Sequence, residues 1–278
     1  MTAPILIAVD GGGTGSRYAM RRGADHSEAA AGPANVSSDF DGALANLRSG
    51  LEKLGLSSGE MQDARICMGL AGVLDEADAA RVLHALSLPY LRILDDRAIA
   101  LRGAFSRSGA GCVAGVGTGS YLGILAGGKA RFAGGWGLAL GDEASGAWIG
   151  REALRAALFA SEGAESSALT EHLLTTPPSG LIRLAADAAP HRLGQFAPEV
   201  VAFAQQGDPI AVAILKAGAT YLETGLCRLG WKESVPLVLT GGLGPVYADY
   251  LPAKMQATLQ KPEGSALDGA FLYAAEIA

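Results

Sequence analysis

The sequence Gly-x-Gly-Thr-Gly-Ser occurs twice, at residues 11–16 and again at residues 115–120. At both places one short apolar run precedes the motif and another follows it, which predicts a turn between two strands. Successive glycines let backbone N–H groups approach an anion closely, and the threonine or serine adds a hydroxyl donor. Ordinary hairpin turns are the alternative, but a hairpin usually needs only a glycine or two. The motif therefore favours a duplicated α/β unit with a phosphate-binding turn in each copy.

Predicted strands alternate with predicted helices ahead of the second motif. Apolar residues recur at helical spacing from Phe40 to Leu54, and Ser38 stands where the N-cap of that helix is expected. The predicted elements are strands at 5–10, 17–20, 27–31, 65–70 and 90–94, and helices at 40–54, 76–87 and 96–107. Strands that alternate with helices usually pair in parallel, so an α/β layer is predicted.

The pattern restarts after residue 108. Strands are predicted at 111–116, 120–125, 129–133 and 235–240, with a mostly helical region at 142–229 and a final helix at 267–277. Asp208 and Pro209 mark the start of the last helix in the helical region. The predicted domains are residues 1–107, joined by the C-terminal helix 266–278, and residues 108–265 with a helical insertion. A cleft between two such domains is a favoured ligand site.

Composition excludes several functional classes. Lys and Arg number 22 against 28 Asp and Glu, a net charge of −6, and no basic stripe with interleaved aromatics predicts a nucleic-acid surface. Cys67, Cys112 and Cys227 are odd in number and widely spaced, which is typical of a reducing compartment rather than a disulfide framework. Neither a signal peptide nor an apolar stretch of about 18 residues is evident. A cytoplasmic protein without nucleic-acid or membrane partners is expected.

Carboxylates stand at the ends of two predicted strands. Asp10 adjoins the first glycine turn, where it could hold hydrated Mg²⁺ that bridges nucleotide phosphates or simply cap the turn. Asp95 and Asp96 end another strand and begin a helix, at the edge where α/β sheets bind ligands. One of this pair is expected to be the helix N-cap, and the other is then a candidate catalytic group.

Six short motifs occur in order along the chain. They are Asp10-Gly-Gly-Gly-Thr14, Gly69-Leu-Ala-Gly72, Gly115-x-Gly-Thr-Gly-Ser120, Gly135-Trp-Gly137, Leu140-Gly-Asp-Glu143 with Gly146-x-Trp-Ile-Gly150, and Thr240-Gly-Gly242. In this order they resemble the N-acetylglucosamine kinase and glucosamine kinase family, which belongs to the sugar kinase/chaperone ATPase/actin superfamily. The ATPases that activate 2-hydroxyacyl-CoA dehydratases share much of the pattern. The resemblance implies an α/β fold of two duplicated ribonuclease H-like (actin-like ATPase) domains around a central cleft.

The resemblance also implies roles for individual residues. The ATP phosphates are expected at Gly11, Gly12, Gly13, Thr14, Gly15, Ser16, Gly117, Thr118 and Gly119, and adenosine at Thr240, Gly241 and Gly242. The sugar is expected at Asn35, Gly72, Asp96, Thr118, Trp136, Gly137 and Asp142, with Asp96 as the catalytic residue and Asp10 as the metal ligand. Structural alternatives are a turn role for Asn35, a core position for Trp136 and a helix cap for Asp142.

One position departs from the family pattern. The catalytic aspartate of that family is usually preceded by Asn and followed by Ala, whereas Asp95 and Arg97 flank Asp96 in this sequence. The distance from Asp96 to Leu101 and Gly103 is the one expected of the family.

The resemblance implies an ATP-dependent kinase that phosphorylates a hydroxyl of glucosamine or N-acetylglucosamine, with a slight preference for glucosamine. ATP and Mg²⁺ are the expected cofactors, and a homodimer is the expected assembly. One alternative is an ATPase that activates a partner enzyme through an iron–sulfur cluster held by cysteines at a dimer interface. Cys67 and Cys112 disfavour it, since both stand inside predicted strands as small apolar residues. A non-catalytic sugar or nucleotide sensor is the other alternative.

Overall fold

The structure is a computed structural model that describes residues 3–186 and 188–278. Its chain divides into two compact units. Unit 1 comprises Met1–Gly109 and Pro262–Ala278, and unit 2 comprises Ala110–Lys261. Because the chain leaves unit 1 and later returns to it, unit 2 is continuous in sequence and unit 1 is not.

The strands in chain order are β1 (Leu6–Gly11), β2 (Ser16–Arg22), β3 (Asp25–Ala31), β4 (Arg65–Leu70), β5 (Leu91–Asp95), β6 (Gly111–Val116), β7 (Ser120–Ala126), β8 (Lys129–Gly134) and β9 (Leu237–Thr240). The helices are α1 (Phe40–Glu52), α2 (Ser58–Asp63), α3 (Glu76–Leu86), α4 (Asp96–Ala104), α5 (Gly146–Ser161), α6 (Ala168–Leu173), α7 (Pro178–Ala186), α8 (Pro190–Gly194), α9 (Ala197–Gln205), α10 (Pro209–Leu229), α11 (Gly244–Tyr247), α12 (Ala253–Gln256) and α13 (Ala266–Ala275), with a 3₁₀ turn at Ala248–Tyr250. Each strand predicted from the sequence has a counterpart among these elements.

Unit 1 is built on a five-stranded sheet in the order β3-β2-β1-β4-β5. The pairs β1–β2 and β2–β3 are antiparallel, whereas β1–β4 and β4–β5 are parallel as predicted. Successive side chains of a strand point to opposite faces, so Ile7 and Val9 join one apolar cluster while Ala8 joins another. Phe271 of α13 lies in the cluster with Ala8, which places the C-terminal helix against the sheet. The central strands of unit 1 are therefore covered on both faces.

Unit 2 repeats the same arrangement with one strand fewer. Its sheet has the order β8-β7-β6-β9, with β6–β7 and β7–β8 antiparallel and β6–β9 parallel. The strands β6, β7, β8 and β9 thus correspond to β1, β2, β3 and β4 of unit 1. This correspondence agrees with the duplicated ribonuclease H-like α/β fold predicted from the sequence.

Helix α10 combines length with apolar composition. Its 21 residues contain a segment with mean hydropathy of 1.3, enough by length and composition alone to cross a membrane, although no such stretch was predicted. Ala211, Ile214, Leu215 and Leu222 on this helix belong to the apolar core of unit 2. We therefore describe α10 as a core helix of unit 2.

Several predicted element ends are wrong. Asp39, not Ser38, is the N-cap of α1, because the Asp39 carboxylate accepts the backbone N–H of Gly42 at 3.0 Å. Helix α4 ends at Ala104 rather than at residue 107, and α13 ends at Ala275. Helix α2 was missed: it buries none of its residues, so it has no apolar stripe that could predict it.

Candidate active site

The first glycine turn connects β1 to β2. The Gly12 N–H donates to the Gly15 carbonyl at 2.9 Å, and the Gly12 carbonyl accepts from the Ala34 N–H at 2.9 Å. Gly13 and Thr14 at the tip of the turn are exposed, and a Cβ built on Gly13 would meet nothing within 4 Å. The turn is therefore fixed by its own backbone while its tip stays open to a ligand.

The serine that ends each glycine motif points into its unit. Ser16 is 2% exposed, and its hydroxyl donates to the Gly32 carbonyl at 2.8 Å and lies 3.0 Å from the Tyr18 hydroxyl. Ser120 is 3% exposed, and its hydroxyl donates to the Glu143 carbonyl at 2.6 Å. Both hydroxyls hold the ends of the turns in place, which leaves the backbone and the threonines as the groups that can face a phosphate.

Three carboxylates meet at one edge of the sheet in unit 1. Asp10 pairs in register with Gly69 of β4, and Leu70 of β4 pairs with Asp95 of β5. Asp10 therefore stands near the carboxyl end of β1, and Asp95 with the following Asp96 stands at that of β5. These two strands flank β4 in the parallel part of the sheet, at the edge where α/β sheets bind ligands.

Asp10 forms an ion pair with Arg17 across the β1–β2 hairpin. The Asp10 Oδ2 and the Arg17 guanidinium are 2.5 Å apart, and the two residues are directly paired in the strand register. The Asp10 side chain is 19% exposed and that of Arg17 is 64% exposed. Sequence reasoning missed Arg17, although a hairpin around the glycine turn would have predicted the pairing.

Asp95 and Asp96 have different roles at the start of α4. Asp95 is the N-cap, and its carboxylate accepts the backbone N–H of Arg97 at 2.8 Å. Asp96 is the first helical residue, and burial together with the neighbouring carboxyls of Asp95 and Asp10 raises its pKa to about 7. A carboxyl group with a pKa near 7 can take up and release a proton at neutral pH.

Asn35 and Gly72 contact each other in unit 1. The Asn35 Oδ1 accepts the N–H groups of Ser37 and Ser38 at 3.0 and 3.1 Å, so Asn35 does act as a turn residue. Gly72 has φ of +82°, and a Cβ there would lie 2.4 Å from the Asn35 Oδ1. Two of the predicted sugar-binding residues are thus brought together, and only a glycine fits beside the asparagine.

The second glycine turn packs against the 240–242 segment in unit 2. The Gly117 N–H donates to the Gly119 carbonyl at 2.9 Å, and the Leu243 N–H donates to the Val116 carbonyl at 3.0 Å. Gly241 has φ of +79°, and a Cβ there would lie 2.3 Å from the Val116 carbonyl oxygen. The predicted phosphate and adenosine segments of this unit are therefore in direct backbone contact.

A cavity of about 470 Å³ opens beside these two segments. It is lined by Gly117, Thr118, Gly146, His191, Gly194, Gln195, Ala197, Pro198, Gly242 and Leu243. Small and apolar residues form most of the wall, and the side chains of Thr118, His191 and Gln195 supply polar groups. His191 and Gln195 were not predicted, because the segment around α8 carries no motif.

Asp142 joins three segments of unit 2. Its side chain is buried, accepts the Gly137 N–H at 3.2 Å and also accepts the backbone N–H of Ser120. A Cβ on Gly119 would lie 2.6 Å from the Asp142 Oδ2. Burial raises the pKa of this carboxyl above its usual range. Ser145 caps α5 through the Trp148 N–H, so the helix-cap interpretation of Asp142 is wrong.

Trp136 is 70% exposed, so the core interpretation of this residue is also wrong. It precedes Gly137, whose φ is +79°, in the loop that ends at Asp142. An indole on the surface of a hydrogen-bonded loop offers an apolar face for a ligand.

The cysteines have little thiolate character where they are buried. Cys67 and Cys112 are both fully buried, and burial raises the pKa of each to about 12. Since the thiolate is the metal-binding form, these two residues are poor cluster ligands. Cys227 is exposed on α10.

Two α/β units with this topology, each carrying a glycine turn after its first strand, define an actin-like ATPase fold. The model of the BadF/BadG/BcrA/BcrD ATPase family matches residues 7–266, and the chain belongs to that family.

Relatives with named activities span most of the chain. A glucosamine kinase from Vibrio cholerae is 27% identical over 96% of this chain and 95% of its own length. An N-acetyl-D-glucosamine kinase from Dictyostelium discoideum is 34% identical over 66% of this chain and 64% of its own. A crystal structure from Chromobacterium violaceum, assigned as an N-acetylglucosamine kinase, superposes with a TM-score of 0.82 and 29% identity over 98% of this chain and 99% of that one.

Proposed function

We propose that this chain is an ATP-dependent kinase that phosphorylates a hydroxyl of an amino sugar. The observation that carries the proposal is Asp96, a partly buried carboxyl whose pKa is raised to about 7. It starts a helix at the same sheet edge as Asp10 and the first glycine turn. A carboxylate of this kind is suited to accept the proton of an attacking sugar hydroxyl at neutral pH.

The two glycine turns are the proposed phosphate-binding elements. Phosphoryl transfer depends mainly on positioning and on stabilisation of charge, which backbone N–H groups and hydroxyls supply. The proposed phosphate-binding residues are Gly11, Gly12, Gly13, Thr14 and Gly15 in unit 1, and Gly117, Thr118 and Gly119 in unit 2. Because the Ser16 hydroxyl is engaged with Gly32, Ser16 would contribute only its backbone.

Magnesium would enter the site as part of the MgATP substrate. Mg²⁺ prefers oxygen ligands and keeps several waters, so one partly exposed carboxylate such as Asp10 fits it. The ion would screen the phosphate charges when bound. Arg17, which pairs with Asp10, brings a further positive charge beside the turn.

The 470 Å³ cavity of unit 2 is the proposed adenosine site. Its volume lies within the usual range of small-molecule pockets. Thr240, Gly241 and Gly242 would bind the nucleoside at one side, and the walls around Ala197 and Pro198 would cover it.

The proposed sugar-binding residues are Asn35, Gly72 and Asp96 in unit 1, and Thr118, Trp136, Gly137 and Asp142 in unit 2. A free amine needs a nearby carboxylate, whereas an acetamido group needs an apolar slot. Of the two amino sugars we propose glucosamine, the sugar named for the Vibrio cholerae relative. N-acetylglucosamine, named for the Dictyostelium discoideum relative, is the competing substrate.

We also propose that the protein forms a cytoplasmic homodimer. Within each chain, we propose that the two predicted domains correspond to units 1 and 2. Multi-angle light scattering tests the assembly. A mass of two chains supports the dimer, and a mass of one chain contradicts it.

The proposed function is tested by ADP release across a panel of hexoses and hexosamines. We expect turnover to depend on an amino sugar. ATP hydrolysis that no sugar stimulates would indicate an activator ATPase instead, and nucleotide binding without turnover would indicate a sensor.

A further inference from the structure

Arg97 holds the carboxylate of Asp95 through its side chain and its backbone. The Arg97 Nε lies 2.9 and 2.7 Å from the two carboxylate oxygens, a second guanidinium nitrogen contacts one of them, and the Arg97 N–H donates at 2.8 Å. The side chains of Arg97 and Asp95 are only 22% and 21% exposed. A planar guanidinium that grips both oxygens in a half-buried setting is a strong and directional ion pair.

Asp95 also directly precedes the proposed base. It caps the helix that Asp96 starts, and the hydrogen bonding and charge of Asp95 help to raise the Asp96 pKa. The charged groups that act on Asp96 are Asp95 and Arg97 on its own segment and Asp10 on β1. Arg17 on β2 balances Asp10 through the ion pair described above. Arg97 therefore offsets the second negative charge that Asp95 brings to this edge.

We propose that Asp95 and Arg97 act as one coupled pair of positioning residues, which orients the Asp96 carboxyl and balances the charge beside it. The inference rests on the proposed function, in which Asp96 accepts the proton of the sugar hydroxyl. Without Arg97, the Asp95 carboxylate stands unpaired beside Asp96 and favours the protonated form of the base. Without the Asp95 charge, the Arg97 guanidinium loses its ion pair with Asp95 and is attracted to the Asp96 carboxylate instead. When both charges are removed, Asp96 has neither an unpaired Asp95 carboxylate nor a competing Arg97 guanidinium beside it.

A double-mutant cycle tests the pair. The kcat and KM for the sugar are measured for the wild type, Asp95→Asn, Arg97→Ala and the double variant. We expect each single variant to lose about tenfold or more in kcat and the double variant to recover most of that loss, since groups in contact give non-additive effects. Arg97→Lys keeps the charge but not the two-pronged contact, so its kcat should fall between wild type and Arg97→Ala.

A matched control comes from the same helix. Arg102 on α4 also pairs with a carboxylate, Glu276 at 3.8 Å, and its side chain is 25% exposed. Arg102→Ala removes an arginine of similar exposure from the same helix without touching Asp95, so kcat should stay within about twofold of wild type. Additive losses in the cycle, or an Arg102→Ala loss as large as that of Arg97→Ala, would overturn the inference.

A pH readout separates positioning from loss of fold. The acid limb of kcat/KM should move to higher pH in Arg97→Ala, to lower pH in Asp95→Asn, and back towards wild type in the double variant. A ¹³C NMR titration of the Asp96 carboxyl, assigned with Asp96→Asn, measures the same shifts without turnover. If the wild type phosphorylates no sugar, the proposed function fails while the NMR cycle still decides the pair. An Asp96 pKa that is equal in all four proteins would overturn it.

Discussion

At the scale of single residues, three carboxyl groups share one edge of unit 1 and differ in their surroundings. Asp10 pairs with an exposed Arg17, Asp95 caps α4 and pairs with Arg97, and Asp96 is partly buried. Different surroundings suit carboxyl groups to different tasks, and only Asp96 is set up here to exchange a proton near neutral pH. The sequence alone placed all three at strand ends but could not say which acid capped the helix.

The raised pKa of Asp96 predicts a pH dependence. A base works only as the carboxylate, and burial with nearby negative charge raises the Asp96 pKa to about 7. Below that pH the group is increasingly protonated, so kcat/KM should fall about tenfold per pH unit, and above it kcat/KM should level off. A pH–rate profile checks this expectation. A rate that is flat from pH 5 to 8 would contradict it.

Asp142 predicts a difference between two substitutions. Its φ is +57°, a conformation that Asp and Asn tolerate better than Ala, and its carboxylate accepts the Gly137 N–H. Asp142→Ala should therefore lower the free energy of unfolding by about 1 kcal/mol more than Asp142→Asn does. Urea denaturation measures that difference. Both variants should raise the sugar KM, and an unchanged KM would remove Asp142 from the proposed sugar site.

At the scale of elements, the close contact of the 240–242 segment with the second glycine turn predicts the effect of a single methyl group. A Cβ on Gly241 would lie 2.3 Å from the Val116 carbonyl oxygen, so Gly241→Ala must displace the segment that is proposed to bind adenosine. We expect the Kd for ATP to rise about tenfold or more, equivalent to about 1.4 kcal/mol. Isothermal titration calorimetry measures it.

The matched control for that substitution is Gly163→Ala. Gly163 also has a positive φ, +99°, but a Cβ there would meet nothing within 4 Å. It should cost stability through backbone strain alone and leave the Kd for ATP unchanged. If both variants weaken ATP binding equally, the contact of Gly241 with Val116 is not the cause.

Elements with strong local patterns were predictable, and weakly patterned ones were not. Strands β1 and β4 each contain a continuous apolar run, and α10 begins with a marked Asp208–Pro209 cap, so their positions were confirmed. Helix α2 buries no residue, and its signal lies only in a capping box between Ser57 and Glu60. The position of such a short exposed helix is determined by the capping residues at its ends, and a search for apolar periodicity does not detect those residues.

At the scale of the whole molecule, the recurrence of the glycine motif predicted the duplicated fold. Each copy of the motif connects the first two strands of its own unit, β1 to β2 and β6 to β7. The comparisons confirm that fold and the family, whereas the site roles stay predictions. His191 and Gln195 were not predictable, since the cavity they line is formed by the packing of α5, α8 and the 240–242 segment. Contacts between elements distant in sequence leave no local motif.

The return of the chain to unit 1 predicts that the last helix is essential to that unit. Phe271 of α13 is 5% exposed in the apolar cluster with Ala8, and Arg21 lies over its ring at 4.0 Å. Phe271→Ala should lower the free energy of unfolding by about 3–5 kcal/mol, which urea denaturation followed by circular dichroism measures. Ile182→Ala, at a residue that is 56% exposed, should change it by less than about 0.5 kcal/mol. Equal effects would contradict the role of α13.

The central claim is phosphoryl transfer to an amino sugar with Asp96 as the base. The most direct measurement is ³¹P NMR of ATP mixed with glucosamine or N-acetylglucosamine, with the wild type and with Asp96→Asn. We predict a sugar-phosphate signal that grows as ATP is converted to ADP, with the rate for Asp96→Asn lower by about 10²-fold or more. ATP converted only to ADP and inorganic phosphate, or a variant that works at the wild-type rate, would contradict the claim.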